Sequence, residues 1–219
     1  MRRLLLDTNI YGRIIELQER ELIESLLSRK KTIVIYSVSV IRKELRDTSK
    51  YVKVLDGEHL RNLRIYLISL YNELIKKEIG LTQAIRLLAD KYFIVYKELG
   101  GKKNNKEIIN DFIIVASASL KSLDIVVSED NKTMKGIEAL KSYKIVNSLN
   151  KIRTPEFISY NQFKALLGSS SDKFLDSSSK LGIFHVSLVF LPYLFSVHNN
   201  YRSHNIFKPE ENAIVRSFV

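Results

Sequence analysis

Two rhythms of apolar residues alternate along the chain. RRLLL (2–6) and TIVIY (32–36) are compact apolar runs of strand length, whereas IYGRIIELQERELIESLLSRKK (10–31) repeats apolar positions every three or four residues, as a helix does. SVSVIRKELRD (37–47) continues the second rhythm, with serines suited to capping a helix. Residues 58–99 carry two long amphipathic patterns, EHLRNLRIYLISLYNELIKKEIG and LTQAIRLLADKYFIVYKELG, stopped by Gly80 and Gly100. GGKKNNK predicts a basic loop, EIINDFIIVASASLKSL a helix apolar on most sides, and DIVVS a buried strand. NKTMKGIEALKS, YKIVN and TPEFISYNQFKALL then predict helix, strand and terminal helix.

Strands that alternate with helices predict a parallel sheet covered on both faces. The expectation is therefore an α/β fold, a three-layer α/β/α domain over residues 1–168 with a central parallel sheet of four to five strands. Beyond it GSSSDKFLDSSSK is polar, serine-rich and aperiodic, as linkers are. Residues 169–219 are read as that linker and a hydrophobic C-terminal extension. There is no internal repeat.

Four acids stand in awkward places. Asp7 ends the first strand and Asp130 follows the DIVVS strand; in a parallel sheet both ends point to one edge. Glu44 lies in the helix after the second strand. Asp111 is the most telling, because Ile108, Val115 and Ala118 are its helical neighbours and Ile109, Phe112, Ile113 and Ala116 line the adjoining face. An unpaired buried charge costs several kcal/mol or neutralises itself, so such an acid has a cation, an ion pair or a site as its reason. For one acid alone a cap, a turn or a solvated helix position is the better explanation. Four together, with no evident basic partner in their immediate motifs, reverse that preference. If they converge, mutual repulsion raises their pKa values unless divalent cations bind, and ligands that are all oxygen suit Mg²⁺ or Mn²⁺.

Composition sharpens the chemistry. Among 219 residues, Lys and Arg outnumber Asp and Glu 35 to 24, for a net charge of +11. That balance suits a polyanion such as nucleic acid better than a neutral metabolite. With no cysteine, disulfides, thiolate nucleophiles, cysteine-zinc sites and iron–sulfur clusters are excluded. The start, MRRLLLDTN, lacks the longer apolar core of a secretory signal, and a cytoplasmic location is expected. Carboxylates that bind cations, in a basic protein, point to phosphodiester chemistry.

LLLDTN, Glu44 in SVSVIRKEL, Asp111 in NDFIIVASASL and Asp130 in IVVSEDNKTM together resemble the PIN-domain nucleases, among them the VapC-type toxins of toxin–antitoxin pairs. The likeness spans residues 3 to about 167. It implies a PIN-like domain that cleaves RNA with Mg²⁺ or Mn²⁺, catalysed and metal-bound by Asp7, Glu44, Asp111 and Asp130. Asp7 and Asp111 are the strongest ligand candidates; Glu44 and Asp130 bind metal directly or through water, or one of them orients the attacking water. Thr8 and Asn9 would shape the turn after the first strand. Ser128 fits a family position whose hydroxyl steadies the first aspartate. The resemblance extends to an antitoxin partner and to pairing of PIN domains as a homodimer. Two features depart from a minimal toxin, the long stretch between Glu44 and Asp111 and the extra tail. They weaken the antitoxin expectation and leave the nuclease one standing.

Other signals carry less. GGKKNNK lacks the spacing of a phosphate-binding loop, but its lysines Lys102, Lys103 and Lys106 precede Asp111 and are candidates for RNA phosphates; a solvated loop is the plainer reading. Tyr66, Tyr71, Tyr92 and Tyr96 have the spacing of packing residues rather than of a base-stacking platform. The four histidines, at 59, 185, 198 and 204, have no zinc spacing. Segment 181–197, LGIFHVSLVFLPYLFSV, is interrupted by His185 and Pro192 and sits at the short edge of membrane-spanning length, so membrane contact is not favoured. The competing function is a non-catalytic, regulatory nucleic-acid-binding module on the same fold, for which positive charge alone suffices.

Overall fold

The computed structural model describes residues 1–29, 31–48, 51–53 and 60–168. The expectations for residues 169–219 and for the four histidines lie outside the described residues.

β1 (Arg2–Leu6) is central, with Leu4, Leu5 and Leu6 fully buried. Successive strand residues point to opposite faces, so three consecutive buried leucines require cover on both sides of the sheet. β2 (Ile33–Val38), β5 (Lys77–Ile79), β6 (Ile125–Val127) and β7 (Glu156–Ile158) complete a five-stranded sheet, ordered β5-β2-β1-β6-β7 and parallel throughout. A separate antiparallel pair joins β3 (Tyr51–Lys53) to β4 (Leu60–Asn62).

The helices are α1 (Thr8–Glu16), α2 (Arg20–Ser28), α3 (Ser39–Asp47), α4 (Leu63–Leu74), α5 (Gln83–Glu98), α6 (Asn105–Leu120), α7 (Ile137–Leu149) and α8 (Tyr160–Gly168). One group packs α1 on α3 and α4, and α2 on α4 and α8; another packs α5 on α6 and α7. Helix α6 also meets α3 and β6, which is why it is apolar nearly all round. This is the α/β architecture that the alternation predicts, at the upper end of the strand count.

Several elements differ from their sequence expectation. The pattern over 10–31 is two helices, broken where Gln18 takes φ 51. The helical pattern from 58 begins only at Leu63 and ends at Leu74, because Lys77–Ile79 pairs with β2 as an edge strand. YKIVN is not a strand but the middle of α7, where Tyr143, Val146 and Asn147 are buried at helical spacing. The last strand comes from the segment expected to be all helix: Pro155 precedes Glu156–Ile158, which pairs with β6 before α8 starts.

The chain winds outward from β1 to β2 and β5, then crosses to β6 on the other side of β1. The loops leaving β1 and β6 therefore part in opposite directions, and the crevice between them lies outside the carboxyl ends of these two strands. Register makes this concrete. Leu6 pairs with Val127, so Asp7 and Ser128 follow side by side, and the Asp7 N–H bonds the Val127 carbonyl at 3.0 Å.

Candidate active site

Asp7 occupies the N-cap of α1 and is 6% exposed. Its Oδ1 accepts the Thr8 backbone N–H at 2.7 Å; its Oδ2 accepts the Asn9 amide and the Ser128 hydroxyl, each at 2.7 Å. The cap and site readings of this residue are thus the same geometry: the donors that start the helix also orient a buried carboxylate. Burial pushes its pKa up to about 6 against those hydrogen bonds, and the charges of Glu44 and Asp130 push the same way.

Glu44 reaches the crevice from α3. Thr8 Oγ1 donates to its Oε2 at 2.5 Å and Asn110 Nδ2 to its Oε1 at 2.8 Å. Asp130 sits in the turn after β6, where its Oδ1 accepts the N–H groups of Lys132 and Thr133 at 2.8 Å each and its Oδ2 accepts the Thr133 hydroxyl. Burial opposes ionisation there, but these bonds and the nearby Lys132 charge win, and the pKa falls below the usual range. The Asp130 N–H in turn bonds Ser128 Oγ at 3.0 Å. Asn9 is tied to the same turn, its Oδ1 accepting the Glu129 N–H at 3.2 Å.

Asp111, one residue after Asn110 on α6, has its pKa raised to about 7. Burial is the main cause, a hydrogen bond with Thr133 opposes it, and the charges of Asp7, Asp130 and Glu44 add to it. Ser128 bonds both Asp7 and the Asp130 N–H, and Thr8 and Asn110, the chain neighbours of Asp7 and Asp111, both bond Glu44, which brings the four acids to one edge of the sheet. Among the described residues no ion pair involves Asp7 or Asp111. Tyr143 is fully buried with its ring 5.6 Å from that of Phe112, the residue after Asp111, and its hydroxyl has no hydrogen-bond partner among the described residues.

The donor set fits a hard divalent cation: oxygen ligands, uncompensated negative charge, and two carboxyls that ionise only against resistance. As placed, no three His, Cys, Asp or Glu side chains among the described residues stand close enough to share an ion. Neutral donors hold two of the carboxylates, Thr8 and Asn110 that of Glu44 and Thr133 that of Asp130. A shared cation would need the acids to swing inward or to bind through water.

Lys102, Lys103 and Lys106 are exposed at the start of α6. Lys106 is five residues before Asp111, about 7 Å along the helix axis. Lys103 pairs with Glu107 at 3.4 Å, and Asn104 with Glu107 forms the capping box that starts the helix. The glycines of GGKKNNK serve this turn. Gly100 takes φ 89, and a Cβ on Gly101 would sit 2.3 Å from the Tyr96 ring. Tyr71, Tyr92 and Tyr96 are buried.

Asn110 and Thr133 escaped sequence reasoning. Asn110 reads as a polar helix residue and Thr133 as part of a turn; adjacency to Asp111 and Asp130 was the only signal.

No family model matches the chain, and no curated protein does. No helix among the described residues is long and apolar enough to cross a membrane. Among solved structures the chain is similar to VapBC2 from Rickettsia felis bound to a DNA fragment from their promoter, at 14% identity and TM-score 0.47, over 72% of this chain and 98% of that one. It is similar also to VapBC-1 from nontypeable Haemophilus influenzae, at 15% and 0.45 over 73% and 98%, and to DNA-bound VapBC from Salmonella typhimurium, at 14% and 0.46 over the same shares.

Proposed function

We propose that the chain is a Mg²⁺- or Mn²⁺-dependent endoribonuclease of the PIN type, with Asp7, Glu44, Asp111 and Asp130 as its catalytic acids. The observation that supports this reading is that hydrogen bonds through Ser128, Thr8 and Asn110 tie the turns and helices carrying these four acids together at the switch point of a parallel sheet. A structural ion-pair network would have brought in a cation from the protein, and among the described residues no ion pair involves Asp7 or Asp111.

Asp7 and Asp111 are the residues that would hold the ion, with Asp130 and Glu44 completing its surroundings directly or through water. The ion, when bound, supplies charge neutralisation for the phosphodiester and acidity for the attacking water. Asn9 and Ser128 keep Asp7 turned toward the crevice, and Thr133 does the same for Asp130. The net charge of +11 and the lysines at the start of α6 favour a polyanionic substrate. The role of toxin in a toxin–antitoxin pair is the narrower form of this proposal, supported by the sequence motifs alone.

The test is incubation of the full chain with mixed RNA in Mg²⁺, Mn²⁺ or EDTA. Cleavage with either metal and none in EDTA is the expected result; cleavage that survives EDTA overturns the metal mechanism. RNA binding without cleavage in either metal favours the non-catalytic module instead. If phosphate contacts dominate affinity, binding weakens steeply with salt, and Lys102→Ala with Lys106→Ala lowers the slope of log K against log [salt] by about 1–2. An unchanged slope removes these lysines from the RNA surface.

A further inference from the structure

Neutral side chains stand among the four acids, bonded to the carboxylates or carried by their chain neighbours. Ser128 donates to Asp7 and accepts from the Asp130 N–H; Thr133 donates to Asp130; Asn110, the residue before Asp111, donates to Glu44; Thr8, the residue after Asp7, donates to the other oxygen of Glu44. Glu44 is therefore gripped from both sides by the sequence neighbours of the two most perturbed aspartates. Thr8 and Ser128 lie in the strand-end turns beside Asp7. Asn110 is different, because it is exposed, sits on α6, and makes the side-chain hydrogen bond that spans from that helix to the acid on α3.

From this geometry we infer that Asn110 is a positioning residue, which acts through Glu44 to set the cation affinity of the site. The inference rests on the proposed metal dependence. One Asn N–H and one Thr O–H, one on each oxygen, fix the plane of the Glu44 carboxylate and leave a lone pair free on each oxygen. Without Asn110 the glutamate keeps only the Thr8 bond and can rotate about it, so the ion must order the side chain as it binds. Groups that orient ligands in this way change metal affinity about 10–100-fold when removed. A second feature lies beside the same acids: the fully buried Tyr143 phenol, unpartnered among the described residues, packs its ring 5.6 Å from that of Phe112, the residue after Asp111.

The test measures Mn²⁺ affinity of the full chain by electron paramagnetic resonance of the free ion, with thermal unfolding in EDTA as the control for folding. Wild type is compared with Asn110→Leu, Asn110→Gln, Glu44→Gln and the Asn110→Leu/Glu44→Gln double variant. Asn110→Leu is expected to bind Mn²⁺ about 10-fold more weakly, with its melting temperature in EDTA unchanged, since the side chain is exposed. Asn110→Gln, which keeps the amide, recovers part of the loss. The double variant binds no more weakly than Glu44→Gln alone, the non-additivity expected of a residue that works through its neighbour. Unchanged or tighter binding by Asn110→Leu overturns the inference, as does a loss that adds fully to that of Glu44→Gln. A wild type that binds no Mn²⁺ overturns the metal reading itself, and with it this inference; that failure is told apart by appearing before any substitution is made.

Discussion

Asp111→Asn is expected to abolish RNA cleavage, by about 10³-fold or more, and at the same time to raise the stability of the metal-free protein at pH 8. The two effects share one cause. Burial and the charges of Asp7, Asp130 and Glu44 all disfavour an ionised Asp111, whose pKa is raised to about 7. An acid with a raised folded pKa binds more protons in the native state than in the unfolded one, so stability falls as pH rises between the unfolded value, near 3.8, and about 7. Asparagine keeps the shape and the contact with Thr133 but carries no charge. Its advantage should vanish below about pH 3, where the carboxyl is neutral in the folded and the unfolded chain alike, and be fully developed above pH 7. A shift of this size corresponds to on the order of 2–4 kcal/mol. Thermal or urea unfolding in EDTA from pH 4 to 8 reads this directly. A flat difference between wild type and variant across that range would mean that Asp111 is solvated.

Asp7→Asn separates a site acid from a capping acid. It too should lose cleavage, but without the gain in stability. Asp7 accepts three hydrogen bonds on two oxygens, and an amide nitrogen would face donors where an oxygen now accepts. The amide oxygen still caps the helix, but a nitrogen set against the Asn9 amide and the Ser128 hydroxyl leaves a buried polar group unsatisfied, which costs about 1–3 kcal/mol and offsets the relief of desolvation.

The sequence made the alternation of strands and helices legible because the strands at its centre are continuous apolar runs: RRLLL, TIVIY and DIVVS all pair in the sheet. It misled at the sheet's edges. Lys77–Ile79 carries two exposed charged residues and only one buried position, which is too little for a strand pattern, and it is recruited by β2. YKIVN has strand composition but lies where α7 buries one side against α5, so packing overrides propensity. At the site, charge in an apolar setting is a strong signal, and it singled out Asp111. The neutral donors among the acids carry no such signal: an asparagine on an exposed helix face costs nothing to place, and only the fold shows that Asn110 meets Glu44.

Phe112→Ala is expected to be the most destabilising single substitution near the site, by about 3–5 kcal/mol. Phe112 is fully buried. Its ring makes edge contacts with Tyr96 and Tyr143 at centroid distances of 5.6 Å each, another with Tyr92 at 6.2 Å and a tilted one with Phe93 at 6.4 Å. Truncation loses transfer energy, several aromatic pairs and the contacts across the resulting cavity, which is framed by rings on α5 and α7 that cannot collapse without moving their helices. With a loss of that size the melting temperature falls by roughly 10 °C in a domain of this length. Ile94→Ala on α5, where the side chain is 57% exposed, should cost under about 0.5 kcal/mol. Urea unfolding distinguishes the two, and a cost below about 1 kcal/mol for Phe112→Ala would show that α6 is not anchored by this ring. The anchor matters for chemistry because Asp111 is the next residue on α6. Phe112→Leu, which refills much of the space, should retain most of the stability yet lose more RNA cleavage than its folded fraction accounts for, since a small rotation of α6 moves Asp111 relative to Asp7 while leaving the sheet intact.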